Sequence, residues 1–188
     1  MDRKEQELRI WATHLPDTTL TNVAYVDEGK PTEMPGLPFG DAPAHIEVAL
    51  TCRPEPGSNI RVLVWLPAEN WNGDLLCVGN GGAAGLLLPF MMVSPLRLGF
   101  AVANTDLGTS AGPDCGIGNP AVWKDFGHRA THLMAVAAKA VVESCFGHQP
   151  AHTYFTGSST GASRHSAPRS DIRRTMTASS PLPRRLTV

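Results

Sequence analysis

The sequence predicts an α/β domain, and three stretches carry the expectation. Tyr154 to Ala162 reads YFTGSSTGA, a short β-type run that delivers a serine between two glycines. Leu75 to Val78 is a buried-strand run that enters a glycine-rich loop, Gly79 to Gly85. Trp123 to Phe146, WKDFGHRATHLMAVAAKAVVESCF, is the best helical pattern in the chain, and its small alanines let it lie close to strands.

The remaining elements follow in order. Residues 1–17 form a polar lead-in with a short helical tendency, and Thr18 to Val26 (TTLTNVAYV) clusters β-branched residues as a first strand. Glycines and prolines make Asp27 to Pro43 a loop. His45 to Leu50 and Ile60 to Leu66 are strands joined by the turn-rich Arg53 to Asn59. Gly99 to Asn104 is a short apolar strand, and small residues from Thr105 to Gly118 end it. Asp106 at its carboxyl end reads as a turn-former rather than a catalytic acid. In the long helix, Leu133, Ala137, Ala140, Val141 and Ser144 give one stripe for the sheet, and Gly147 is a natural stop. His152 to Thr156 supplies the final strand.

Composition narrows the function. With 188 residues, 42% hydrophobic and 18% charged, the chain has the size of one globular domain. A formal net charge of −1 excludes a general nucleic-acid or membrane-surface binder and points to small-molecule partners. No apolar run approaches the roughly 20 residues that span a bilayer. The opening MDRKEQELRIW is charged, so no export signal is expected, and localisation stays open. Cys52, Cys77, Cys115 and Cys145 are scattered without C-x-x-C spacing, which leaves buried free thiols or one or two disulfides. His128 and His132 are four apart, but no glutamate follows the first as a zinc helix would require, so no metal ligand is assigned.

Gly157, Ser159 and Gly161 form a G-x-S-x-G signature. A strand that turns abruptly into a helix needs small residues around a strained nucleophile. The helix N-terminus that follows would aim N–H groups at a developing oxyanion, with Thr160 as the nearest donor. This is the chemistry of acyl transfer; the plainer reading is a Ser/Gly-rich surface loop. Gly81 and Gly82 lie in a loop that can aim main-chain N–H groups into the same space. That loop lacks the Lys-Ser/Thr ending of a phosphate-binding loop and the spacing of a dinucleotide fingerprint, so no cofactor is expected.

The segment resembles the tannase/feruloyl esterase family of α/β hydrolases, whose elbow reads roughly YFxGCSTGG. Tyr154, Phe155, Gly157, Ser159, Thr160 and Gly161 are in register with it. Ser158 stands where the family has a cysteine bonded to another beside the catalytic histidine, and Ala162 replaces a glycine. WNGDLLCVGNGGAAG from Trp71 resembles the family's WNGRF-x-x-x-GNGG-x-x-G block, with Asp74 in the basic position. GFAVAN at Gly99 resembles GYAVASTDTGH, and Ile46 takes the cysteine place of a PAHC-type opening. The resemblance implies a serine carboxylic ester hydrolase acting on phenolic (feruloyl or galloyl) esters. Ser159 would be its nucleophile, and Thr160, Gly81 and Gly82 its oxyanion donors. It also implies a lid carrying a structural calcium, and a family often secreted.

The resemblance covers residues 18–161, and 162–188 form a basic tail, ASRHSAPRSDIRRTMTASSPLPRRLTV. The tail shows no apolar periodicity where a helix should pack on the sheet. Joining the last base of each codon to the first two of the next lets Arg169 to Asp171 yield Q-R and Asp171 to Ala178 yield Y-P-E-D-Y-D-G. That resembles the family's AQRYPEDYDGIIAGAPA block. Out-of-frame translation beginning near Gly161 or Ala162 is therefore the favoured reading, against a genuine basic tail or a divergent helix. The triad acid and histidine follow the nucleophile in this fold, so neither is assigned. The expectation is an incomplete α/β-hydrolase fold with an N-terminal β-rich segment, its central sheet truncated after the nucleophile elbow, and a poorly folded, inactive product in this form. The alternatives are a non-catalytic fragment or pseudoenzyme, and a lipase-like α/β hydrolase.

Overall fold

The computed structural model describes residues 2–29, 31–34, 37–82, 85–110 and 116–157. Its elements begin with helix α1 (Arg3–Trp11) and strands β1 (Thr18–Val26), β2 (Pro31–Met34), β3 (Leu37–Asp41), β4 (His45–Cys52), β5 (Ile60–Pro67) and β6 (Leu75–Val78). A 3-10 turn (Pro89–Met92) then runs into helix α2 (Val93–Arg97), strand β7 (Ala101–Thr105) and helix α3 (Pro120–Lys124). A π turn (Asp125–Arg129), helix α4 (Ala130–Phe146) and strand β8 (Thr153–Thr156) complete it.

Six strands form one sheet in the order β1-β4-β5-β7-β6-β8. β1, β4, β5 and β7 are antiparallel neighbours, whereas β6 runs parallel to both β7 and β8. A parallel pair needs a crossover, and α2 supplies the one from β6 to β7 while α3 and α4 supply the one from β7 to β8. These crossovers cover opposite faces. The 3-10 turn and α2 pack through Met92, Val93 and Leu96 on Leu63, Trp65, Val78 and Val102. α4 packs with Val62, Val64, Leu66, Leu75, Cys77, Ala101 and Ala103. The period-two alternation of β5 sorts its side chains between these layers, so every β5 residue but Arg61 is buried.

Local chemistry sets the helix ends. Asn119 Oδ1 accepts from the N–H groups of Ala121 (3.1 Å) and Val122 (3.4 Å), with Pro120 at the first helical position, so the helical stretch begins before Trp123. Gly147, at φ +84°, ends α4 by donating to Glu143 O at 2.8 Å. The buried face of α4 is rotated from the expected stripe: Ala137 and Val141 are buried, but so are Met134, Ala135, Ala138, Val142 and Cys145. Leu133, Ala140 and Ser144 are only half-buried. The helix is apolar on several sides, so periodicity alone does not select which side meets the sheet. Part of the flank is taken by α1, whose Ile10 is fully buried, and by Thr13, whose hydroxyl donates to Ser144 Oγ at 2.7 Å.

The expected loop from Asp27 to Pro43 contains the β2–β3 hairpin instead. Its prolines, Pro31 and Pro38, lie in an isolated two-stranded ribbon where every strand is an edge, so a missing N–H is tolerated. Cys52, Cys77 and Cys145 are buried free thiols, and burial pushes Cys77 and Cys145 up to about 12. They stay protonated and unreactive. Cys115 lies outside the described residues. Among the described residues no helix is long and apolar enough to cross a membrane.

His45 opens β4, is 1% exposed, and packs against Trp65 with ring centroids 4.4 Å apart and the planes tilted by 39°. Its Nδ1 bonds Pro43 O at 2.7 Å while Nε2 is buried without a partner. Burial lowers its pKa from the ordinary 6.5, so the folded state holds the neutral ring. The unfolded chain binds the proton first as pH falls. Stability should therefore be flat above pH 6.5 and fall below it, by up to about 1.4 kcal/mol per pH unit. Urea unfolding at pH 7.5 and 5.5 measures this. A His45→Phe chain should lose less stability between those pH values, and an equal loss would sink the assignment.

Candidate active site

β6 is the strand on which the site is built. Its register with β8 pairs Leu75 with Thr153 and Val78 with Thr156, so the two carboxyl ends stop side by side. The Gly79 N–H then donates across to Thr156 O at 2.7 Å. A Cβ at Gly79 would stand 2.6 Å from Phe155 Cζ and 3.3 Å from Thr156 O, so glycine is what permits the approach. β8 continues to Gly157, the last described residue of the serine motif. Ser159 and Thr160, the expected nucleophile and one expected oxyanion donor, lie outside the described residues.

Gly81 and Gly82, the other expected donors, lie in the loop that leaves β6 and are both exposed. No atom stands within 4 Å of a Cβ built on either, so packing does not require glycine there; Gly82 needs it for its backbone, at φ +59°. The loop is held by two buried amides that sequence reasoning missed. Asn80, 2% exposed, donates through Nδ2 to Leu86 O (2.9 Å) and Thr105 O (2.6 Å). Asn104, fully buried near the end of β7, donates to Val78 O (2.9 Å) and Asn80 Oδ1 (2.8 Å) and accepts from Leu88 N (2.8 Å). The available signal was an asparagine inside GNGG and another in the apolar strand FAVANT. Each is a polar residue in a buried run, which requires partners.

Asp106 follows β7 and is 2% exposed. Its carboxylate accepts from Arg61 N (2.9 Å), Arg61 Nε (2.7 Å) and Gly108 N (2.9 Å). The bond two residues on is the turn expected of it. All of its strong contacts are structural, and they hold Leu107 at φ +65°, a conformation a leucine rarely adopts. Arg61 and Asp106 border a recess of about 500 Å3 at this end of the sheet, with Gly85, Thr109 and Val122. Beside it, fully buried Asp125 accepts from Ser58 Oγ and Arg129 Nε, both at 2.5 Å. Lys124 and Arg129 hold the neighbouring Glu55 carboxyl below its usual range.

His128 is exposed and His132 half-buried. Among the described residues no group of three or more His, Cys, Asp or Glu side chains is placed to hold a metal ion.

The Gly79 contact is directly testable. Gly79→Ala should destabilise the chain by about 1–3 kcal/mol, as an overpacked buried contact does. Phe155→Leu in the same chain should recover part of that loss. Strictly additive effects in the double-mutant cycle would show that the Phe155 ring is not what the new methyl meets.

Residues 46–166 match the family described as tannase and feruloyl esterase. An uncharacterized esterase of Xanthomonas campestris pv. campestris is 32% identical over 153 residues, covering 80% of this chain and 27% of that protein. Feruloyl esterase C of Talaromyces stipitatus is 28% identical over 157 residues, covering 79% of this chain and 29% of that protein. The crystal structure of feruloyl esterase B from Aspergillus oryzae superposes with a TM-score of 0.73 at 26% identity, covering 85% of this chain and 33% of that one. The chain thus spans between about a quarter and a third of the length of these relatives. With the family matched over more than half of its residues and its mixed six-stranded sheet part of the superposed fold, the chain belongs to the tannase and feruloyl esterase family and has an α/β-hydrolase fold.

Proposed function

We propose that this chain carries the nucleophile and oxyanion side of a serine carboxylic ester hydrolase acting on phenolic, feruloyl or galloyl, esters. One observation carries the reading: the parallel β6–β8 register sets the Gly79–Gly82 loop beside the strand that runs into Gly157-x-Ser159-x-Gly161. An acyl-transfer site needs that juxtaposition, because the alkoxide-forming carbonyl must sit between nucleophile and donors. The family match and the likeness to feruloyl esterase C support the ester and its phenolic acyl group.

In this reading Ser159 Oγ attacks the ester carbonyl as its proton passes to a base. The carbonyl oxygen becomes an oxyanion facing the N–H groups of Thr160, Gly81 and Gly82. Collapse expels the alcohol, which takes up that proton, and leaves an acyl-serine. Water then attacks the same carbonyl and releases the phenolic acid. The base and its acid partner are assigned to no residue of this chain. Asp106 and Asp125 are occupied by Arg61 and Arg129 and serve neither role.

A fluorophosphonate probe tests the nucleophile directly. Ser159 should be labelled, and Ser159→Ala should abolish labelling; equal labelling of both chains would sink the reading. Where turnover is measurable, feruloyl or galloyl esters should be cleaved faster than aliphatic esters of similar size. The reverse preference would move the site to a lipase-like class.

A further inference from the structure

The loop after β6 is clamped from both sides of its glycines. Asn80 stands immediately before Gly81, and its single amide reaches forward to Leu86 O and across to Thr105 O. Asn104 closes the other contacts: Val78 O before the loop, Leu88 N after it, and Asn80 Oδ1 in the middle. Each amide donates both of its N–H bonds and accepts one, so the pair is fully engaged in a buried position. Such a network has two consequences. It is costly to break, because any displaced member becomes a buried unsatisfied group. It is also uncharged, so it holds the loop without placing a full charge beside it.

Gly81 and Gly82 need such support. They are exposed, and no atom approaches the space where a Cβ would stand, so side-chain packing does little to restrict them. Glycine lacks the Cβ that narrows the backbone angles of other residues. Oxyanion stabilisation depends on donors fixed before the charge develops, since donors that must reorganise lose most of their advantage. We infer that Asn80 and Asn104 are positioning residues that hold the Gly81 and Gly82 N–H groups in a fixed array, acting on transition-state stabilisation through the loop and not by touching substrate. The inference rests on the oxyanion reading of Gly81 and Gly82.

The test combines 15N relaxation with fluorophosphonate labelling on the full 188-residue chain and on Asn80→Ala, Asn80→Asp and Ile10→Ala. Asn80→Asp is nearly isosteric and keeps the acceptor for Asn104 but loses both donors, so an effect it shares with Asn80→Ala reports lost hydrogen bonds rather than lost volume. Ile10→Ala lowers global stability from α1, away from the loop. In the unmodified chain the Gly81 and Gly82 amides should be rigid, with order parameters about 0.85, falling below about 0.6 in both Asn80 variants. Amides of β4 and β5 should not change. Ser159 labelling should slow about 100-fold in both Asn80 variants, the size of effect a small misplacement of a reacting array produces, and stay within twofold in Ile10→Ala. Rigid Gly81 and Gly82 in the Asn80 variants, or mobile ones in the unmodified chain, would overturn the clamp. Slowing by Ile10→Ala to the same degree would reduce it to general stability. Absence of Ser159 labelling in the unmodified chain would defeat the nucleophile reading instead, and the relaxation result would then judge the clamp alone.

Discussion

Everything at the carboxyl end of the sheet depends on the contact between Gly79 and β8. The N–H at 79 reaches Thr156 O at 2.7 Å with the Phe155 ring against its Cα, a spacing that no side chain at 79 would allow without displacing the ring. Because β6 is parallel to both its neighbours, this contact brings three chain exits together: the Gly79–Gly82 loop, the Thr105–Thr109 turn, and the step from β8 into the serine motif. The crossovers after β6 and β7 leave toward opposite faces, which opens a crevice at a strand-order switch, the usual ligand position in open α/β sheets.

The two ends of the sheet are finished differently. At the carboxyl ends of β6 and β7 and in the π turn beside them, the buried polar side chains Asn80, Asn104, Asp106 and Asp125 are each engaged by two or more partners. At the opposite end, His45 keeps an unpaired ring nitrogen in the interior. The contrast places rigidity where a reacting group would need fixed donors, and a proton-sensitive weakness where it does not disturb them. The antiparallel β1-β4-β5 flank and the alanine-rich α4 serve as the stiff backing: α4 lies close to the sheet because its contact positions include Ala130, Ala135, Ala137 and Ala138.

Family membership and the geometry meet on the same loop. The relatives are esterases about three times this length, and this chain matches the part that includes the GNGG loop and the serine motif. What the described residues add is how such a loop is kept in shape. Two neutral amides share that task with the Gly85 N–H bond to Asp106 O and the Arg61 contact to Gly85 O.

Much of this was legible in the sequence for local reasons. β-branched clusters and short apolar runs marked β1 and β6 to their ends, Gly147 marked the end of α4, and the G-x-S-x-G and GNGG blocks pointed to the two sides of the proposed site. These signals depend only on backbone preference and hydrophobic period, which neighbouring residues determine among themselves. Other features arose only when distant segments met. The β2–β3 hairpin defied its prolines because an isolated ribbon tolerates lost donors. The buried face of α4 was chosen by the sheet and α1 among several apolar sides. Asn80 and Asn104 bond each other across 24 residues of chain, and Gly79 meets Phe155 of β8, so only tertiary pairing brings these amides and that ring into contact.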